Sequence, residues 1–147
     1  MHKKGFVKLE STTIKIAYNK NNGNYEIIHK NFSWVSDGRK SNITIRKKNK
    51  DGKYVNTVRS LQSAKNKQTV FADNKITTTY SGFVAFGKKL PFSLVCTAEI
   101  TSENTVEFSL KAENETDYDI QAVYFPAPFN SKKKGKSGFI RISSSLK

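Results

Sequence analysis

The side chains that could do chemistry in this 147-residue chain are few and scattered. Soft metal ligands are limited to His2, His29 and Cys96, and no two of them share the spacing of a zinc site, which needs three or four donors. Nucleophilic catalysis would have to recruit His29 as its base. That histidine stands in an alternating strand pattern, where a hydrogen-bonded or part-exposed side chain is the ordinary outcome. Cys96 is alone, which excludes an intrachain disulfide. Its setting in Phe92-Ser93-Leu94-Val95-Cys96 suits a small buried apolar residue better than a reactive thiol. Neither a metal nor a cofactor is expected.

Paired carboxylates occur in one block: Glu99, Glu103, Glu107, Glu113, Glu115, Asp117 and Asp119. They fall on expected strand exteriors and a loop, which reads as a solvated face. Hard oxygens alternate from Glu113 to Asp119, so calcium is conceivable, but the glycine of an EF-hand loop is missing. Gly135-Lys136-Ser137 matches the end of a phosphate-binding loop. The motif needs a glycine where Asn130 stands and a helix after it, and Gly138-Phe139-Ile140-Arg141-Ile142 is no helix, so the match fails. Three formal glycosylation sequons, at Asn31, Asn42 and Asn114, are chance products of an Asn-, Ser- and Thr-rich composition. Exposed aromatic rings could stack on sugars, with Trp34, Tyr54, Tyr80 and Tyr118 as the candidates; core or edge packing is the competing role for each.

The elements that must position these residues are strands. Ile14, Ile16 and Tyr18 alternate, Asn19-Lys20-Asn21-Asn22-Gly23-Asn24 supplies a turn, and Tyr25-Glu26-Ile27-Ile28-His29 returns. Phe32-Ser33-Trp34-Val35 follows, then Asn42-Ile43-Thr44-Ile45-Arg46, which Lys50-Asp51-Gly52-Lys53 turns into Tyr54-Val55-Asn56-Thr57-Val58. Residues 59–68 read as loop, and 75–80 as a β-branched strand. The best-specified hairpin sets Phe92, Leu94, Cys96, Ala98 and Ile100 against Val106, Phe108, Leu110 and Ala112. A slip of one residue would expose a whole apolar row. Residues 120–125 are apolar on both faces apart from Gln121, which predicts a central strand covered on both sides and stopped by Pro126 and Pro128. One domain is therefore expected, a sandwich over 1–130, followed by a basic, loosely packed tail over 131–147.

The net charge of +14 raises the question of nucleic acid. Only four of the 26 basic residues are arginine, the side chain that forks onto phosphates and base edges. Lysine and asparagine enriched together fit a bias spread over every surface. The charge is uneven: residues 99–120 hold one basic and seven acidic side chains within an otherwise basic chain. No stretch approaches the ~18 apolar residues of a membrane helix. Residues 1–8 are charged with no apolar run after them, which predicts neither signal peptide nor membrane partner, and a cytoplasmic location.

Three stretches together resemble galactose-mutarotase-like β-sandwich domains, as found before the barrel of certain glycoside hydrolases. They are the opening hairpin from Lys15-Ile16-Ala17-Tyr18 to Tyr25-Glu26-Ile27-Ile28, the long pair over 92–112 closed by Glu113-Asn114, and Ile120 to Phe125 with its exit Pro126-Ala127-Pro128-Phe129. The resemblance implies an all-β, antiparallel two-sheet sandwich, whole or the front part of a longer one. Mutarotase-type enzymes use histidines and a carboxylate from the later half of a longer sandwich, and the hydrolases carry their catalytic carboxylates on the barrel. No catalytic residue transfers to this chain. The expectation is a non-catalytic domain associated with a carbohydrate-active enzyme, lining a sugar site, packing on a catalytic barrel domain or self-associating. The alternative is a small basic module that binds nucleic acid or anionic polysaccharide.

Overall fold

A computed structural model describes residues 6–10, 13–30, 32–36, 41–102, 105–126, 129–131 and 139–142. Their strands are β1 (Phe6–Glu10), β2 (Ile14–Asn19), β3 (Tyr25–His29), β4 (Phe32–Ser36), β5 (Asn42–Lys48), β6 (Tyr54–Ser60), β7 (Asn66–Ala72), β8 (Lys75–Ala85), β9 (Lys88–Ser102), β10 (Thr105–Asn114), β11 (Asp119–Tyr124), β12 (Phe129–Ser131) and β13 (Phe139–Ile142). A 3-10 turn, Leu61–Ser63, is the one helical element among the described residues. The fold is all-β and sandwich-like, with three sheets in place of the expected two: β1-β2-β3-β4-β12, β13-β10-β9-β8-β7 and β11-β5-β6.

Strand length explains the third sheet. β9 has 15 residues, which at strand rise spans about 50 Å, whereas strands of five to seven residues reach only about 17–24 Å. One short-stranded sheet cannot cover the apolar face of β8, β9 and β10. Two sheets therefore share it end to end. At one end Ile14, Ile16, Tyr18, Tyr25 and Ile27 pack on Ile76, Ala98, Ile100, Val106 and Phe108. At the other, Ile43 and Ile45 join Leu61 and Ala64 over Phe83, Phe92, Leu94, Cys96 and Leu110. Phe83 and Phe92 lie nearly parallel with centroids 4.8 Å apart. Partly buried Phe125 packs on both clusters, and a 3.2 Å hydrogen bond between the hydroxyls of Tyr18 and Tyr80 joins them.

The central hairpin has the expected register: Val106 faces Ile100, Phe108 faces Ala98, Leu110 faces Cys96 and Ala112 faces Leu94, all of them buried. The β2–β3 turn closes as expected too, with the Gly23 amide donating to the Asn19 carbonyl at 2.8 Å. Gly23 sits at φ +75, and an added Cβ would run into the Gln62 side-chain amide, which otherwise reaches the Tyr80 hydroxyl at 3.3 Å. Gly23→Ala should therefore cost about 1–2 kcal/mol from the left-handed backbone, read as a lowered urea midpoint.

Three segments differ from the sequence expectation. Residues 59–68 are not a loop: they hold the end of β6, the 3-10 turn and the start of β7. β8 continues through Ala85 and reverses at Phe86 and Gly87, both at positive φ, before β9. β11 is the edge of a three-stranded sheet, not a central strand covered on both faces. A bulge between Ile120 and Ala122 breaks its alternation, so Ile120 and Val123 face the core while Ala122 and Tyr124 face out. Within residues 131–147 the backbone of Phe139–Ile142 pairs in parallel with β10, and β12, which ends at Ser131, pairs with β4.

Candidate functional site

The outward face of the sheet β11-β5-β6 carries one sequence-predicted aromatic residue, Tyr54, and one newly found, Tyr124. Ile43 and Ile45 point into the core, so their neighbours Asn42, Thr44, Arg46 and Lys48 point away from it. Cross-strand register adds Ser60, Val58, Asn56 and Tyr54 from β6, and Tyr124, Ala122 and Asp119 from β11. Tyr54 is 56% exposed, Val58 56% and Tyr124 46%. The face runs from Tyr54, opposite Lys48, to Tyr124, opposite Asn42, six positions along β5 and about 20 Å.

Its two ends differ in charge. The Arg46 guanidinium lies 4.2 Å from the Tyr54 ring centroid and bonds the Asp119 carboxylate at 3.1 Å, while the Lys48 ammonium stands 5.7 Å from the same ring. The hairpin tip adds Lys50 and Lys53 around a turn in which the Asn49 side chain accepts the amides of Asp51 and Lys53, both at 3.0 Å. The Tyr124 end is neutral, with Asn42, Thr44 and Ser60 beside it.

The four predicted rings are not gathered in one site. Tyr54 alone lies on this face. Tyr80 is a correction: it is 3% exposed, on the inward row of β8 with Ile76 and Thr78, and its hydroxyl is engaged by Tyr18 and Gln62, so it offers no face to a sugar. Trp34 is partly buried on β4 against the first core cluster. Tyr118 is partly buried, edge-on to Phe86 at 5.5 Å. Phe86 in turn lies under the Lys47 ammonium at 4.6 Å. Tyr124 is the ring that sequence reasoning missed, because the bulge in β11 hid which face it takes.

The remaining candidates are placed plainly. Cys96 is fully buried opposite Leu110, and burial pushes its thiol pKa up. His29 ends β3, partly buried and paired in register with Ile14 and Phe32. Glu99 pairs with Lys75 at 3.6 Å and Glu113 with Lys111 at 3.2 Å. In the loop after β10, the Asn114 side chain donates to the Tyr118 carbonyl at 2.7 Å and accepts from Thr116, so its carboxamide is spent on the turn. Among the described residues, no three His, Cys, Asp or Glu side chains are grouped to hold a metal ion. His2, Glu103 and residues 135–137 lie outside the described residues. Among the described residues no helix is long and apolar enough to cross a membrane. No protein-family model matches the chain, and no curated protein matches it.

Proposed function

We propose that this chain is a non-catalytic β-sandwich domain of the kind that accompanies a carbohydrate-active enzyme, and that the outward face of β11-β5-β6 lines a sugar site. The observation that supports the reading is the open face itself. Two tyrosines and Val58 stand exposed on a three-stranded sheet, with amide and hydroxyl side chains and the Arg46–Asp119 ion pair between them. Rings and Val58 cover the C–H faces of sugar units, and Asn56, Thr44 and Ser60 reach their hydroxyls. A surface for a catalytic barrel domain or a second copy exists elsewhere: β7 is an open edge carrying Val70 and Phe71, each more than half exposed.

A second reading rests on the basic hairpin tip, where Arg46, Lys47, Lys48, Lys50 and Lys53 cluster. It takes an anionic polymer, nucleic acid or acidic polysaccharide, held by those cations. Titration of a neutral hexasaccharide and of heparin or duplex DNA, each at low and physiological salt, separates the two. The first reading expects weak neutral-sugar binding that is nearly indifferent to salt and falls about tenfold in Tyr54→Ala or Tyr124→Ala. The second expects polyanion binding that drops roughly 500-fold from 50 to 200 mM salt if all five cations neutralise phosphates. Polyanion binding that stays tight at physiological salt, with silence toward neutral sugars, overturns the first reading.

A further inference from the structure

The outer face of the long sheet carries a dent whose origin is local. Pro91 lies inside β9 without an amide to donate, and the β8–β9 register slips there: Ser81 faces Ser93, but Phe83 faces Leu90. Gly82 alone spans the two residues Pro91 and Phe92. It sits at φ +73, and a Cβ on it would come within 3.0 Å of the Lys65 Cβ and 3.1 Å of the Asn66 side-chain nitrogen. The bulge opens a cavity of about 340 Å³.

One wall of the cavity is a straight polar row across four strands. Asn66 on β7 faces Ser81 on β8, Ser81 faces Ser93 on β9, and Ser93 faces Glu113 on β10. Neighbouring strands are about 4.8 Å apart, so the row presents an amide, two hydroxyls and a carboxylate over roughly 14 Å. Lys89 and Glu115 flank it, and the Glu115 amide donates to the Pro91 carbonyl at 3.4 Å, which holds that loop against the dent. Among the described residues, the side chains of Asn66, Ser81 and Ser93 make no hydrogen bond within the protein. Their donors and acceptors remain available to a ligand.

We propose that this dent is a second binding site, for one or two neutral sugar rings or an equally compact polyol. Amide and hydroxyl groups both donate and accept, the carboxylates only accept, and the lysine only donates. A ligand that satisfies such a mixture along every edge carries many hydroxyl groups. Charge argues for neutrality: Glu113 and Glu115 are offset by Lys89 and by Lys111, which pairs with Glu113. The volume lies at the small end of ligand pockets. This inference is independent of the sheet-face reading, because the row lies on the opposite side of the sandwich from Tyr54 and Tyr124.

Amide chemical-shift mapping with glucose, galactose, xylose, maltose and myo-inositol tests it. At least one should shift resonances at 66, 81–82, 89–90, 92–93 and 113–115 together. Asn66→Ala and Glu113→Ala, both exposed positions, should each weaken that binding about tenfold, while Tyr54→Ala leaves it unchanged. Three results would overturn the site: no shifts with any of the five ligands, shifts gathered around Tyr54 instead, or tighter binding of glucosamine or glucuronate than of glucose.

Discussion

Phe108→Ala is expected to remove about 3–5 kcal/mol from the free energy of unfolding. The ring is fully buried, meets Tyr25 edge-on at 5.2 Å and lies 6.1 Å from Phe125. Its position also decides whether the cavity can collapse. Phe108 faces Ala98 across the ladder, and Ala98 is too small to fill the space. On the opposite layer Ile16, Tyr18 and Ile27 are held by their own sheet. The surroundings relax little, so the cavity term adds to the lost transfer energy. Phe71→Ala is the matched control: the same atoms leave an edge strand where the residue is 52% exposed, and the cost should stay within about 0.5 kcal/mol. Urea unfolding of the three proteins checks this, and comparable losses at 71 and 108 would mean the two layers are not packed as described.

That core was legible because its signal is long. Nine apolar residues alternate without a break along 92–100 and 106–112, and only one register buries them all. The tight turns were legible at Gly23 and Gly52, where positive φ favours glycine. β7 was not, for a physical reason: as an edge strand its residues are all at least partly exposed, so Asn66-Lys67-Gln68-Thr69 carries no alternation and becomes a strand only by pairing with β8. The division of one layer into two sheets depends on which distant strands stack, which no local period records. At the candidate site, the aromatic types were visible but their exposure was not. Tyr80 shares parity with Ile76 and Thr78, a cue to its burial, whereas the outward turn of Tyr124 follows from a bulge that leaves no mark in the alternation. Pro91 was the available cue for the dent, since a proline inside a long strand implies an irregular ladder.

Stability should fall steeply in alkali, by about 5 kcal/mol between pH 9 and 11. Burial raises the pKa values of Tyr25, Tyr80 and Cys96 above their ordinary values of 10.0, 10.0 and 9.0, and the nearby Tyr18 adds to the rise for both tyrosines. The protonated forms thus persist in the folded chain after the unfolded chain has begun to lose its protons. Above the ordinary pKa the unfolded state binds fewer protons than the native state, so the free energy of unfolding decreases as pH rises. The slope is about 1.4 kcal/mol per pH unit for each group, beginning near pH 9 for the thiol and near pH 10 for the two phenols. Loss of lysine charge acts the other way, because it relieves self-repulsion in a chain of net charge +14. Variants separate the two effects. Tyr80→Phe and Cys96→Ala leave every lysine in place, and each should flatten the alkaline limb by about 1.4 kcal/mol per pH unit even though each lowers stability at neutral pH. Urea midpoints measured from pH 7 to 11 read the slopes directly. An alkaline limb equally steep in wild type and both variants would show that these groups titrate in the folded protein as they do in water, and that the Tyr18–Tyr80 junction between the two core clusters is open to solvent.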